Sequence, residues 1–224
     1  HRFPLLGRVI DTGAEIDWRR DYVHQVSTGP VYARRIPYLD FARAGDHKFV
    51  WELNRHQHLV LLAQAWLFTS DGRYRDEIFG QLENWLDQNP FLKGMNWASS
   101  LEVAFRSLSW VWVYHWTGHA MERGLRRRFL EELYRHAVYL EHNLSIHFSP
   151  NTHLLGEAAA LHALGTLFPA WPGSHRRRRL GREIVLAQMD SQVLPDGFHF
   201  ERSVYYHVYA LDMFVLHHLL EPAP

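Results

Sequence analysis

The feature that most constrains this chain is a helical hydrophobic period that recurs in seven separate segments. In each, apolar residues return every three or four positions, the spacing of one face of an α-helix. The segments are Phe49–Phe68, Arg73–Gln88, Trp97–Trp116, Met121–Asn143, Thr152–Phe168, Leu180–Val193 and Ser203–Leu220. Helix-stopping signals separate several of them, such as Thr69-Ser70-Asp71-Gly72 and Asn89-Pro90. Nothing alternates with a period of two for more than a few residues, so no sheet of consequence is expected. Helices joined in series by short turns form antiparallel hairpins. The pattern therefore predicts an all-α fold, either a bundle or an incomplete (α/α) toroid. Within the third segment, Leu108 to Trp116 is apolar on nearly every side and is expected to be buried all round. Residues 1–45 are cut by Gly7, Gly13, Gly29, Pro30, Pro37 and Gly45. They are expected to form an irregular segment packed on a helical domain of residues 46–224. The connections 89–96, 143–151 and 194–202 fall at helix ends, where loops build sites.

Composition excludes several function classes. The 224 residues are 47% apolar and 21% charged, with a formal net charge of zero. No global field draws such a chain to nucleic acid or to a membrane surface. No apolar run is long enough to cross a bilayer. With no cysteine, disulfides, thiolate nucleophiles and cysteine metal sites are out. There is no His-Glu-x-x-His, phosphate loop or Gly-x-Ser-x-Gly, and no clear carboxylate pair for hydrolysis. No metal site and no cofactor is expected. The chain opens on His1 without a leader, and its true N-terminus is expected to lie upstream. Nine Trp, ten Tyr and seventeen His are many for this length. Aromatic faces stack on the C–H faces of sugars as readily as on one another.

Four constellations stand out. Trp51, Asn54, Arg55 and His58 are spaced to share one helix stripe, either an ordinary surface or a ridge facing a sugar cleft. Asn96 and Trp97 precede Glu102 and Arg106, an acid-before-base pair four apart on a largely apolar helix. Such a pair is either a buried structural pair or part of a cleft wall. An Arg fork there would suit a carboxylate or sulfate. Ser149-Pro150-Asn151-Thr152-His153 opens the fifth helix, with Glu157 one turn on; Asn151 or Ser149 is suited to cap it. Asp196-Gly197 makes a turn before Glu201 and Ser203, and Ser203, Tyr206, His207 and Ala210 share a helical face. The run Arg176-Arg177-Arg178-Arg179 reads as a solvated helix start or loop.

Taken in order, Phe49-Val50-Trp51-Glu52-Leu53-Asn54-Arg55, Asn96-Trp97 with Glu102 and Arg106, Asn151-Thr152-His153 with Gly156 and Glu157, and Asp196-Gly197 through Glu201, Ser203, Tyr206 and His207 resemble the N-terminal domain of heparinase II/III-like proteins. The resemblance runs from about residue 46 to the end. It implies an incomplete (α/α) toroid, normally followed by an antiparallel β-sandwich domain that this chain lacks. It also implies a periplasmic or secreted bacterial polysaccharide lyase that cleaves an acidic, uronic-acid polymer by β-elimination. Asn151 matches the donor to the uronate carboxylate, and Tyr206 the catalytic tyrosine. His207, or a histidine from elsewhere, is able to assist that tyrosine, whose free pKa near 10 calls for a cationic or basic neighbour. Asn54, Arg55, Asn96, Trp97, Glu102, Arg106, His153 and Glu201 are the expected substrate contacts. Where family members often carry Asn-Asn-His, this chain has Asn151-Thr152-His153, so the carboxylate contact falls to Asn151 or His153. A further catalytic histidine usually comes from the β-sandwich, so the 224 residues alone are expected to fold without turning over substrate. The chain stops at Glu221-Pro222-Ala223-Pro224, where a linker would begin. Two other readings are a non-catalytic carbohydrate-binding or polysaccharide-biosynthesis accessory protein on the same fold, and a helical protein-binding scaffold. The lack of a fixed repeat speaks against the scaffold.

Overall fold

The computed structural model describes residues 1–221. The linker expected at 222–224 lies outside them. The chain separates into two compact units, His1–Arg135 and the residues from His136 on. Each is described by itself.

The first unit begins with two small antiparallel ribbons. Strands β1 (Arg2–Leu5) and β2 (Arg8–Asp11) pair, as do β3 (Arg20–Asp21) and β4 (Val26–Ser27). These are the only sheets among the described residues, each of two strands. A short helix α1 (Phe41–Ala44) follows, then α2 (His47–Asn54), α3 (Gln57–Thr69), α4 (Gly72–Gln88), α5 (Ser100–Thr117) and α6 (Arg123–His142), within which the first unit ends at Arg135. The single helix expected over Phe49–Phe68 is in fact α2 and α3. The break is at His56, which adopts a left-handed backbone with φ of 58°. That conformation is unfavourable for a side-chain-bearing residue. It is compensated by a fully buried imidazole, whose Nδ1 accepts from Trp110 Nε1 at 2.8 Å. The core is aromatic: Trp85 and Trp110 meet edge to face at 5.2 Å, and Phe129 stacks on Trp110 at 4.7 Å. Pairs of this kind add about 0.5–1.5 kcal/mol each beyond burial. The expectation that Leu108 to Trp116 is buried all round is not met. Trp110 and Val113 are buried, but Trp112 is 46% exposed. The face carrying Trp112 and His115 points away from the Trp85–Trp110–Phe129 core.

In the second unit, α8 (Ser174–Gln192) and α9 (Val204–Leu220) each pack mainly against α7 (Thr152–Leu167). Here α7 is the helix buried on every side, from Thr152 through Gly165 with only His153 half-exposed. Glycines set the closeness of α7 and α8. A Cβ on Gly181 would come within 2.5 Å of the His162 backbone nitrogen, and one on Gly165 within 2.4 Å of that of Arg178. No side chain fits at such contacts. Helix α8 begins six residues before its expected start at Leu180, taking in the arginine run. Apolar spacing could not reveal this, because the first turns are fixed by charge. Arg176 and Arg177 both pair with Glu141, and both Arg177 and Glu141 are almost wholly buried. Helix α9 buries Ala210, Met213 and His217. Its opposite face carries Val204, Val208, Leu211, Val215 and Leu219, all exposed by 46% or more.

Candidate functional site

In the first unit, much of the expected polar stripe is interior. Asn54 is 1% exposed: its Nδ2 donates to the Trp18 and Val50 carbonyls at 2.8 and 2.7 Å, and its Oδ1 accepts from Trp85 Nε1 at 2.7 Å. Asn96 is also buried, donating to Trp18 O at 3.0 Å and to Asn89 Oδ1 at 2.8 Å. Arg106 is buried beneath them. Its guanidinium lies 4.7 Å from the Trp85 ring centre and 5.4 Å from that of Trp97, and donates to the Asn96 carbonyl at 3.1 Å. Asn54, Asn96, Trp97 and Arg106 thus bind the fold to itself, and the short turn at Met95–Trp97 is part of that lattice.

Glu102 is buried as well, at 3% exposed, and Arg55, which holds it, is half-buried. Arg55 grips Glu102 through two bonds, at 2.7 and 3.0 Å, and donates to Glu52 at 2.7 Å. Its guanidinium also lies 4.7 Å from the Phe105 ring centre. Glu102 therefore takes its two-point partner from outside its own helix, a contact that spacing along α5 cannot disclose. His58 does not share a stripe with Trp51, because the chain turns at His56. Its Nε2 meets Gln81 Oε1 at 2.8 Å, and burial pushes its imidazole down to about 4. Trp51 donates to the Met95 carbonyl at 3.1 Å.

In the second unit, the expected residues collect at helix starts. Asn151 is the N-cap of α7, its side-chain Oδ1 accepting from His153 N at 3.1 Å. Ser203 caps α9 and accepts from Tyr206 N at 3.5 Å. Tyr206 and His207 lie in the first turn of α9, with Tyr206 42% exposed. The His207 ring lies flat on Phe198 at 4.6 Å. Two antiparallel steps, α7 to α8 to α9, bring the starts of α7 and α9 to the same end of the unit. Thr152 and Glu201 meet there at 3.5 Å. Helix starts carry partial positive charge and unpaired N–H groups, an environment that favours anions. The 194–202 connection is pinned by buried His199, which bonds Gln192 Oε1 at 2.9 Å and accepts from the Glu201 backbone at 3.3 Å. The 143–151 connection is pinned by Glu157. Its two oxygens accept from Ser145 N at 2.7 Å and Ser145 Oγ at 2.6 Å. Burial pushes the Glu157 carboxyl up to about 7, against the pull of those two bonds.

Among the described residues, one grouping has the donors to hold a metal ion: His162, His217 and Glu221, with ligand atoms within 4.8 Å of one another. The four-residue step from His217 to Glu221 is the sequence signal for it. The two Nδ1 atoms lie 3.0 Å apart, a hydrogen bond with one proton between them. Ligation by both rings through Nε2 would put a proton on each Nδ1 and set them against each other. Glu221 is bound at 2.9 and 3.0 Å by Arg182. The cluster as it stands is a hydrogen-bonded pair beside an ion pair.

The chain is 24% identical over 191 residues to a heparin-sulfate lyase of Bacteroides stercoris, covering 75% of this chain and 28% of that protein. It is 29% identical over 178 residues to a heparin-sulfate lyase of Pedobacter heparinus, covering 76% and 26%. A crystal structure of a mutant of the heparan sulfate lyase HepC from Pedobacter heparinus superposes with a TM-score of 0.73 at 26% identity, over 98% of this chain and 32% of that one. The chain thus spans about a third or less of the length of these relatives. Its fold is the all-helical one of their N-terminal part, as the sequence predicts. The heparinase II/III N-terminus model matches residues 1–221, and the chain belongs to that family.

Proposed function

We propose that this chain is the helical, toroid-forming part of a longer lyase that cleaves a uronic-acid polysaccharide of the heparan sulfate kind by β-elimination. The observation that carries the reading is the gathering of Asn151, Tyr206 and His207 at one end of the second unit, in a chain of this family. Elimination removes the C5 proton of the uronate and breaks the bond from C4 to the glycosidic oxygen. That proton becomes acidic enough only when the neighbouring carboxylate is held by a donor, which stabilises the enolate as it forms. Asn151 suits the task, since its cap uses the side-chain oxygen and its amide nitrogen is the donor. Tyr206 takes the proton or returns it to the departing oxygen, with His207 as its basic neighbour. Positive helix ends favour the anionic substrate. Within the second unit, His153 and Glu201 are proposed to contact the sugar. Asn54, Asn96, Trp97 and Arg106, with the Arg55–Glu102 pair, hold the fold of the first unit. In the proposed arrangement a β-sandwich domain of the same protein supplies a further histidine, so the 224 residues alone are inactive. The full protein works in the periplasm or outside the cell.

The test is to express the full-length protein on a panel of uronic-acid polysaccharides and read the ultraviolet absorbance of the unsaturated uronate. Activity on one polymer is expected, reduced about 10²–10⁴-fold in Tyr206→Phe and about 10²–10³-fold in Asn151→Ala. Undiminished activity in Tyr206→Phe would give the proton transfer to another group. Binding without elimination on every polymer would make the protein a carbohydrate-binding relative of the lyases.

A further inference from the structure

The proposed chemistry uses Asn151 but leaves open what fixes the connection that presents it. Residues 143–151 contain no regular helix or strand, and a mobile connection would present its last residue in many positions. Glu157 lies five residues inside α7 and is fully buried. Burying a carboxyl is costly unless it is hydrogen-bonded. Both of its oxygens are given to one residue, Ser145, as a two-point bond to the backbone N–H and the hydroxyl. Ser145 in turn holds the rest of the loop, because its carbonyl accepts from Ser149 N at 3.3 Å. From Ser149 the chain passes through Pro150, whose ring fixes its φ, to the N-cap Asn151. The chain of contacts runs from the interior of α7 to the loop and back to the start of the same helix.

We propose that Glu157 is a positioning residue, which clamps the 143–151 connection through Ser145 and so sets where Asn151 presents its amide to the uronate carboxylate. This rests on the lyase reading given above. Glu157 need not touch substrate; it acts through Ser145 and the loop. Local sequence spacing gives no sign of it, since Glu157 sits where an ordinary helix carboxylate would, and Ser145 is one of many loop serines.

The clamp and its consequence are tested separately. Hydrogen exchange is measured for the amides of residues 144–149 and 151 in the wild type, Ser145→Ala, Glu157→Gln and Glu157→Ala, with circular dichroism to confirm that each is folded. Loss of the two-point bond is expected to speed exchange across the loop about tenfold or more in Glu157→Ala, the change that about 1.4 kcal/mol of lost interaction produces. Glu157→Gln, which keeps an acceptor for Ser145 N–H, should restore most of the protection. Exchange that stays at the wild-type rate in folded Glu157→Ala or Ser145→Ala overturns the clamp. In the full-length protein, the same variants should lower kcat about tenfold or more, with KM changed far less and with partial rescue in Glu157→Gln. A faster loop with unchanged kcat overturns the positioning role. A wild-type protein that eliminates no polymer sinks the lyase reading and the positioning role with it, while the exchange data still decide the clamp.

Discussion

Glu157→Gln makes the sharpest test of the energetics. Burial raises the Glu157 carboxyl from 4.5 to about 7, so the folded chain holds a proton there more tightly than the unfolded chain does. The sign follows directly. Between those two pH values the folded state binds more protons, and stability falls as pH rises. The contribution is fully present below about pH 4.5 and is lost as pH passes through about 7. At about 1.4 kcal/mol per pH unit, the interval from 4.5 to about 7 is worth about 3 kcal/mol. Glutamine has the shape of the protonated acid but does not titrate. Its oxygen can accept from Ser145 N–H, and its amide can donate to the Ser145 hydroxyl. The variant should therefore be close to the wild type at pH 4.5 and about 3 kcal/mol more stable at pH 8, or about 6–12 °C higher in Tm for a chain of this size. Urea unfolding followed by circular dichroism at pH 5, 6, 7 and 8 reads this as a difference between two proteins, so the titration of every other group cancels. A constant offset from a poorer fit of the amide shifts both ends of the comparison equally. A difference that stays flat from pH 5 to 8 would show that the buried carboxyl titrates as it does in the unfolded chain.

Three further outcomes are expected. Gly181→Ala should destabilise the chain by about 3 kcal/mol or more, because its Cβ would sit 2.5 Å from the His162 backbone; in contrast Gly80→Ala, on the exposed face of α4 with nothing within 4 Å, should stabilise by about 0.5–1 kcal/mol. Thermal unfolding of the pair checks both signs, and equal effects would mean that the α7–α8 contact is looser than described. Asn54→Leu should cost about 1–3 kcal/mol, since it strands the buried Trp85 indole N–H and takes one of two amide donors from the Trp18 carbonyl, leaving that of Asn96; chemical denaturation that finds less than about 0.5 kcal/mol would refute that role. Arg177→Met should cost about 3–5 kcal/mol by stranding the buried Glu141 carboxylate beside only the more exposed Arg176, and most of that loss should be recovered in the double variant Arg177→Met with Glu141→Gln, measured by the same denaturation.

What the sequence disclosed follows from what kind of force set each feature. Helices α4, α7 and α9 were legible to within a residue or so because capping side chains mark their starts: Asp71, Asn151 and Ser203. The break between α2 and α3 was not, since a left-handed His56 is paid for by a long-range bond from Trp110 that no local pattern encodes. The early start of α8 was hidden because Arg177 reaches Glu141 rather than an apolar neighbour. At the candidate site, residue types in the helix-start motifs were legible, and so was the capping role of Asn151. Depth was not. Asn54 and Asn96 look like surface donors in the sequence, and only the packing of Trp18 and Trp85 over them reveals that they are interior. Cross-helix partnerships such as Arg55 with Glu102 are likewise invisible to spacing.

The outer face of α9 bears on how the protein behaves in a test tube. Val204, Val208, Leu211, Val215 and Leu219 fall on a single stripe running the whole length of the helix. A stripe of that continuity on a molecule with no net charge meets no long-range repulsion when two copies approach. Attraction between molecules should therefore set the working concentration, and static light scattering should return a negative second virial coefficient for the 224-residue chain. Replacing Leu211 and Val215 by glutamate would add charge at the centre of the stripe and turn that coefficient positive, leaving the buried face of Ala210, Met213 and His217 untouched.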